Sequence, residues 1–198
     1  NIGKFKENFY QRLVFDEIFS TFLVNSEIRK KIKRIKKTKK KFNSKNQNKI
    51  ISELDFSLTK DQIKTLDEIN KDLSSENKMF RLLQGDVGSG KTIVSLLSAY
   101  NTINSGFQVA VMAPTEILTR QHFLLAKKIF PKNIRIELLS GKSSYKDKKV
   151  ILDRLSKKQI DIIFGTHALF QKKVEFQKLG LIIIDEQHKF GVNQRKKL

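Results

Sequence analysis

Apolar positions change their spacing several times along this chain, and each change predicts an element. Phe5, Phe9 and Leu13 lie four apart, and Phe15, Ile18, Phe19 and Phe22 continue the stripe, so residues 4 to about 25 read as a helix. The stripe is too wide to stand in water and must pack, either on the domain that follows or on one outside this chain. Arg29 to Lys41 is a basic run with Ile28, Ile32 and Ile35 at helical spacing. Asn43 to Asn48 is polar, has no period, and reads as a loop that ends this N-terminal segment. From Ile51 onward strand and helix signals alternate. Thr59 is the expected N-cap of a helix whose apolar face carries Ile63, Leu66, Ile69 and Leu73. Strands are expected at 80–84, 107–112, 134–139, 160–164 and 181–184, with helices at about 91–104, 116–129 and 146–157. Such alternation predicts an α/β fold, a parallel sheet with helices on both faces. No internal repeat is present. The chain divides into a helical, basic linker over 1–50 and an α/β domain over 51–198.

Chemistry enters where the first of these strands meets its helix. Phe80-Arg81-Leu82-Leu83-Gln84 is followed by Gly85-Asp86-Val87-Gly88-Ser89-Gly90-Lys91-Thr92, a glycine, four residues, then Gly-Lys-Thr. Gly85, Gly88 and Gly90 let backbone N–H groups of the loop, Ser89 included, close around phosphate oxygens without a Cβ in the way. The helix behind aims its unpaired N–H groups and positive dipole end at the anion. Lys91 would place a charge on the β/γ-phosphates, and Thr92 a hydroxyl on Mg²⁺. A plain glycine turn between strand and helix is the alternative, and the strand–loop–helix order argues against it.

Composition narrows the class. The chain has no cysteine, which excludes disulfides, thiolate metal sites and a cysteine nucleophile, and suits a reducing compartment. No run is long enough to cross a membrane, and the start carries no secretory signal. It begins at Asn1 rather than Met, as a cut edge would. The formal net charge is +20. That excess suits a polyanion partner. It also suits compositional drift, since Lys far outnumbers Arg and Asn, Ile and Phe are abundant. Between Glu27 and Lys49 twelve Lys/Arg stand against one Glu, so +11 of the +20 falls in 23 residues. That run is either a basic helix against phosphates or a solvated helix face or linker.

The expected strand at 181–184 is four apolar residues, as in a strand buried on both faces, and it ends in Asp185-Glu186-Gln187-His188. In open parallel sheets ligands sit beyond the carboxyl ends of the strands. Asp185 there would hold Mg²⁺, and Glu186 would orient and polarise the water that attacks the γ-phosphate. Taken alone, the pair reads equally as two exposed carboxylates at a strand end; the phosphate loop makes it catalytic. His188 either couples nucleotide to the following strand or satisfies a local hydrogen bond. Three further segments emerge on the same edge: Pro114-Thr115-Glu116, then Ser140-Gly141-Lys142, then Gly165-Thr166-His167. Small hydroxyl residues and free N–H groups at helix starts suit sequence-blind contact with a nucleic acid backbone.

In this order the motifs resemble the first motor domain of superfamily 2 helicases. Within these they resemble the RecG family, bacterial ATP-dependent DNA helicases that remodel stalled forks and branched DNA. The resemblance rests on Leu83 to Thr92, Met112-Ala113-Pro114-Thr115-Glu116-Ile117-Leu118, Gln121-His122, Gly165-Thr166-His167-Ala168-Leu169, and Ile184 to Val192, with Gln194-Arg195 beyond. It covers about 51–198; Arg12-Leu13 and Phe15-Asp16-Glu17 resemble, less specifically, the family's connection between wedge and motor domains. It implies a RecA-like P-loop domain, truncated here, and the cofactors ATP and Mg²⁺. Gln62 is implied to read adenine, the Pro-Thr-Glu and Gly-Thr-His segments to touch DNA, and Gln187 and His188 to couple. Lys189 departs from the family's usual Arg: the charge is kept and the forked geometry lost. The related transcription-repair coupling translocases usually carry a bulkier residue at Ser89 and a second Glu at Gln187, so both positions favour the RecG family.

Further expectations follow from the family. A wedge domain would precede Asn1, and a second motor domain, normally the source of an arginine finger, would follow Leu198. The strand that usually lies between the phosphate-loop strand and the acidic strand would also be absent, leaving a fragment of poor stability that binds ATP weakly. Branched double-stranded DNA is the implied partner of a cytoplasmic, bacterial, monomeric motor with no membrane contact. A GTPase would carry Asn-Lys-x-Asp, and here Asn77-Lys78 runs into Met79-Phe80. A non-catalytic nucleic-acid module would leave Lys91, Thr92, Asp185 and Glu186 unexplained.

Overall fold

A computed structural model describes residues 37–186 except 142 and 172, together with Arg12, Phe15, Asp16, 18–20, 22–24, Ser26 and Glu27. The chain separates into two compact units. The smaller draws on the chain before Lys40 and on Lys71–Leu83; the larger draws on Lys40–Asn70 and the chain from Gln84.

In the smaller unit the described N-terminal positions are helical. Phe15 and Phe19 stack at 5.8 Å, yet Phe15, Ile18, Phe19 and Phe22 are all more than half exposed, so the packing expected of this stripe is not made among them. Phe5, Phe9, Leu13 and the basic run as far as Lys36 lie outside the described residues. Lys37 donates from Nζ to the carbonyl oxygens of Asp72 and Leu73 at 3.0 and 3.1 Å. Burial lowers its pKa, against the opposing pull of Asp72.

The larger unit is built on a four-stranded parallel sheet. Its strands are β1 (Gln108–Met112), β2 (Ile136–Leu139), β3 (Ile162–Gly165) and β4 (Leu179–Ile184), in the order β2-β3-β1-β4. The helices are α1 (Ser44–Ser52), α2 (Lys60–Ser74, whose last turn belongs to the smaller unit), α3 (Lys91–Asn104), α4 (Glu116–Ile129) and α5 (Tyr145–Ser156). Side chains alternate across the strands. Ala110, Met112 and Ile163 face Ile151 and Leu155 of α5, whereas Phe164, one residue on, meets Phe123 of α4 edge-on at 6.0 Å. Helices therefore cover both faces, as the alternation predicted. Helix α3 packs on β1 and β4 and on α1, and is buried almost all round, from Leu96 to Ile103.

Two sequence expectations are corrected. The polar stretch from Asn43 is not a loop. Asn43 is the N-cap of α1, accepting from the Lys45 N–H at 2.9 Å. Ile50 is 1% exposed, and Gln47 Oε1 accepts from Asn70 and Asn101 at 2.8 and 2.7 Å. One buried apolar contact and a satisfied amide cluster thus hold a helix with little apolar period. Phe80 to Gln84, in turn, forms no strand, and Phe80 and Leu82 are 65% and 74% exposed. An apolar run specifies burial, but a strand exists only by hydrogen bonding to a neighbour. The sheet ends instead at β4, whose Leu179 and Ile182 remain exposed.

One buried amide ties the sheet to its surroundings. Gln108, 0% exposed, donates from Nε2 to the carbonyl oxygens of Leu155 and Ile160, both at 2.9 Å, and accepts from the Lys178 N–H at 3.0 Å. At the entry edge, Arg135 grips the Asp161 carboxylate with Nε at 2.9 Å and a terminal nitrogen at 2.6 Å, fixing β2 beside β3.

Candidate nucleotide and nucleic-acid site

The phosphate loop runs from Gly85 into α3. Gly88 and Gly90 have φ of +80° and +81°, the left-handed region in which a Cβ is strained. Gly90 is the N-cap of α3 and offers no side-chain hydrogen bond, so no side chain competes for the first-turn N–H groups. A Cβ on Gly90 would run into the Gln62 amide, and one on Gly85 would lie 2.8 Å from Ser89 Oγ. Lys91 Nζ donates to the carbonyl oxygens of Gly85 and Asp86 at 2.8 and 2.7 Å, which folds the ammonium over the loop.

Gln62 reaches this loop from α2. Its Oε1 accepts from the Thr59 N–H at 2.9 Å while its own N–H donates to Thr59 Oγ1 at 3.2 Å, a reciprocal capping box. Its Nε2 donates to the Ser89 carbonyl at 2.9 Å. Both ends of the amide are therefore engaged, one in the helix cap and one in the loop.

Asp185 follows β4 directly. Its N–H donates to Met112 O at 2.8 Å, extending the β1 ladder by one step. Its Oδ1 accepts from the Glu186 N–H at 2.9 Å, and its Oδ2 lies 2.7 Å from His122 Nε2. Glu186 adopts φ +47°, an unfavourable backbone for a residue with a side chain and one that turns the chain sharply at the strand end. Gln187, His188 and Lys189 lie outside the described residues.

Because all four strands are parallel, the other loops open on the same edge. Thr115 caps α4, accepting from the Leu118 N–H at 3.3 Å. Glu116 bonds Ser140 Oγ at 3.1 Å and the Gly141 N–H, and Lys148 donates to Gly141 O at 2.7 Å, so the loop after β2 is held from two helices. Gly165 accepts from the Ala113 N–H at 3.2 Å, and a Cβ on it would lie 2.8 Å from Leu169 Cγ. Thr166 is buried and precedes a 3-10 turn, His167–Phe170, at which His167 is exposed. Pro114 is half-buried and Thr115 exposed. Gln62 came only through the family resemblance; the motif spacing pointed to the loop residues above except Lys148. It did not assign His122 to Asp185 or Gln62 to Ser89: both are tertiary contacts, although Gln121-His122 stood out as a motif.

A match to the DEAD/DEAH box helicase family covers residues 59–198. The chain belongs to that family. Among curated relatives of this DEAD/DEAH box chain, the ATP-dependent DNA helicase RecG of Aquifex aeolicus is 42% identical over 198 residues, covering 100% of this chain and 25% of the relative. RecG of Borreliella burgdorferi is 51% identical over 151 residues, 76% of this chain and 22% of the relative. The chain thus spans about a quarter of the length of the curated relatives it matches. Among solved structures, RecG bound to a three-way DNA junction superposes with a TM-score of 0.83 at 43% identity, covering 91% of this chain and 25% of that one. The UvsW helicase of bacteriophage T4, 19% identical with a TM-score of 0.56, shares the fold. The RecA-like reading of the sheet is thereby established.

The donors fit the expected cofactors. Among the described residues no three His, Cys, Asp or Glu cluster as a self-sufficient metal cage. Mg²⁺ does not need one: it takes hard oxygens, one or two from protein and the rest from phosphates and water. Thr92 and Asp185 offer a hydroxyl and a carboxylate of that kind.

Proposed function

We propose that this chain forms the first motor domain, over 51–198, of an ATP-dependent DNA helicase that remodels branched DNA; its relatives are named ATP-dependent DNA helicase RecG, and one RecG is solved bound to a three-way DNA junction. The observation that carries the reading is one parallel sheet that ends at Asp185-Glu186, packed against the helix that opens from the phosphate loop. Gly85 to Gly90 would wrap the phosphates with backbone N–H groups, and Lys91 would exchange two loop carbonyls for phosphate oxygens. Thr92 and Asp185 would hold Mg²⁺, which would neutralise charge on the β- and γ-phosphates. Glu186 would orient the attacking water. Pro114, Thr115, Glu116, Gly141, Gly165, Thr166 and His167 line the edge assigned to DNA. There Glu116 would act through the Gly141 loop, since a carboxylate repels phosphate. Gln187 and His188 would couple the two sites. The second motor and wedge domains of the relatives are the proposed partners, in a cytoplasmic, monomeric protein.

The test is the ATPase of the complete gene product with and without forked DNA, beside Lys91→Ala. Hydrolysis that rises with forked DNA and vanishes in the variant is expected. Indifference to DNA sinks the motor reading, and a variant equal to wild type sinks the catalytic one.

A further inference from the structure

His122 stands on the inward stripe of α4. Thr119 and Ala126, three before and four after it, are 2% and 0% exposed, and the His122 side chain is 12% exposed. A histidine on such a face most often satisfies a core hydrogen bond. Here its partner is the Oδ2 of Asp185, at 2.7 Å. A carboxylate only accepts, so Nε2 carries the hydrogen and donates. The other oxygen of the same carboxylate accepts from the Glu186 N–H at 2.9 Å. Each oxygen therefore has one fixed donor and keeps lone pairs for a further ligand. Asp185 lies one residue past the end of β4, its backbone still bonded to Met112 O, so the orientation of its carboxylate is set by the bonds that the carboxylate itself makes.

We propose that His122 is a positioning residue for the Asp185 carboxylate, setting the orientation in which it takes Mg²⁺ beside the nucleotide. This rests on the reading of Asp185 as the metal-side carboxylate given above. Carboxylates that bind metals are themselves held by hydrogen bonds, and loss of such a partner typically costs metal affinity or activity without removing a ligand. The helix that supplies the donor matters as well. Glu116, in the first turn of α4, grips the Gly141 N–H, and His122 lies six residues further along, about 9 Å up the axis. One rigid helix thus refers the Asp185 carboxylate to the loop after β2, on the edge assigned to nucleic acid.

The experiment measures the affinity of a fluorescent ATP analogue for the complete gene product, with and without Mg²⁺, so no turnover is needed. The readout is the factor by which Mg²⁺ tightens binding. His122→Ala is expected to reduce that factor roughly tenfold, the low end of such partner effects, with affinity in the absence of Mg²⁺ close to wild type. His122→Gln, whose amide N–H reaches about as far, is expected to recover most of it. A merely structural histidine would weaken binding equally with and without Mg²⁺, or show only as a lower melting temperature. Should His122→Ala keep the wild-type factor, or should His122→Gln fold as wild type and be as impaired as alanine, the proposal is overturned. Asp185→Ala separates this from its premise. If that variant also keeps the wild-type factor, the assignment of Asp185 is wrong; if it abolishes the factor while His122→Ala does not, only the role of His122 fails.

Discussion

Gln62 Nε2 donates to the carbonyl oxygen of Ser89 over 2.9 Å, while the same side chain's oxygen caps α2 at the Thr59 N–H. One amide thus does two separable things. Gln62→Glu keeps the acceptor and loses the donor, so the helix cap survives and the tether to the phosphate loop does not. The glutamate variant is expected to melt close to wild type but to bind ATP several-fold more weakly, the effect of losing one hydrogen bond of about 1 kcal/mol. Gln62→Ala should add a cap loss of about 1 kcal/mol to the same binding defect. Melting curves and nucleotide titrations on both variants check this; glutamate binding as tightly as glutamine would remove the tether from the account.

Gly90 and Gly88 share a left-handed backbone but not their surroundings. A Cβ at Gly90 meets the Gln62 amide and lies 3.3 Å from Ile93 Cγ2, whereas one at Gly88 finds nothing within 4 Å. Gly88→Ala should therefore cost only backbone strain, about 1 kcal/mol. Gly90→Ala should cost more and should displace Gln62 and the loop. The expected order of ATP affinity is wild type, then Gly88→Ala, then Gly90→Ala; equal affinities in the two variants would contradict the geometry.

Gln108→Leu removes a buried amide that satisfies the Leu155 and Ile160 oxygens and the Lys178 N–H. Stranding three backbone groups at about 1–3 kcal/mol each predicts a loss of roughly 3 kcal/mol or more, large for a single change. Denaturant unfolding of the variant measures it. A loss within 1 kcal/mol of zero would mean that the loops rearrange to find water.

Asp161 supplies the pH dependence. Its burial disfavours the charge, but the Arg135 side chain and backbone N–H outweigh that and lower its pKa below the ordinary 3.8. A lowered carboxyl pKa stabilises the fold above the unfolded-state value and loses that contribution as the pH falls through the folded one. Asp161→Asn should therefore be less stable than wild type at neutral pH, by about 1–2 kcal/mol given that Arg135 is half exposed. The difference should shrink in acid, below pH ~4. Melting temperatures across that range decide; a constant gap would exclude the ion pair as its cause.

Local patterns were legible wherever the chain satisfies itself. The expected ends of α3 and α4 agree with the structure, because a capping position and a 3.6-residue apolar stripe are written in consecutive residues. All four strands differ from the expected bounds by one or two residues at an end, since a strand's ends depend on where its neighbours' ladders stop. Helix α1 was missed for a related reason: Gln47 gains its value from Asn70 and Asn101, distant in sequence.

The residue types at Gly85 to Thr92 and at Asp185-Glu186 by themselves carry the proposal that this chain holds phosphates near a carboxylate. Glycine freedom, a lysine charge and an acidic strand end are properties of composition and spacing. Only the tertiary structure decided who holds those groups in place. Gln62 reaches the Ser89 oxygen from another helix, His122 reaches Asp185 across 63 positions of chain, and Phe80 to Gln84 forms no strand. Hydrogen bonds require a donor and an acceptor within about 3 Å, and the path of the chain alone sets which pairs meet that condition.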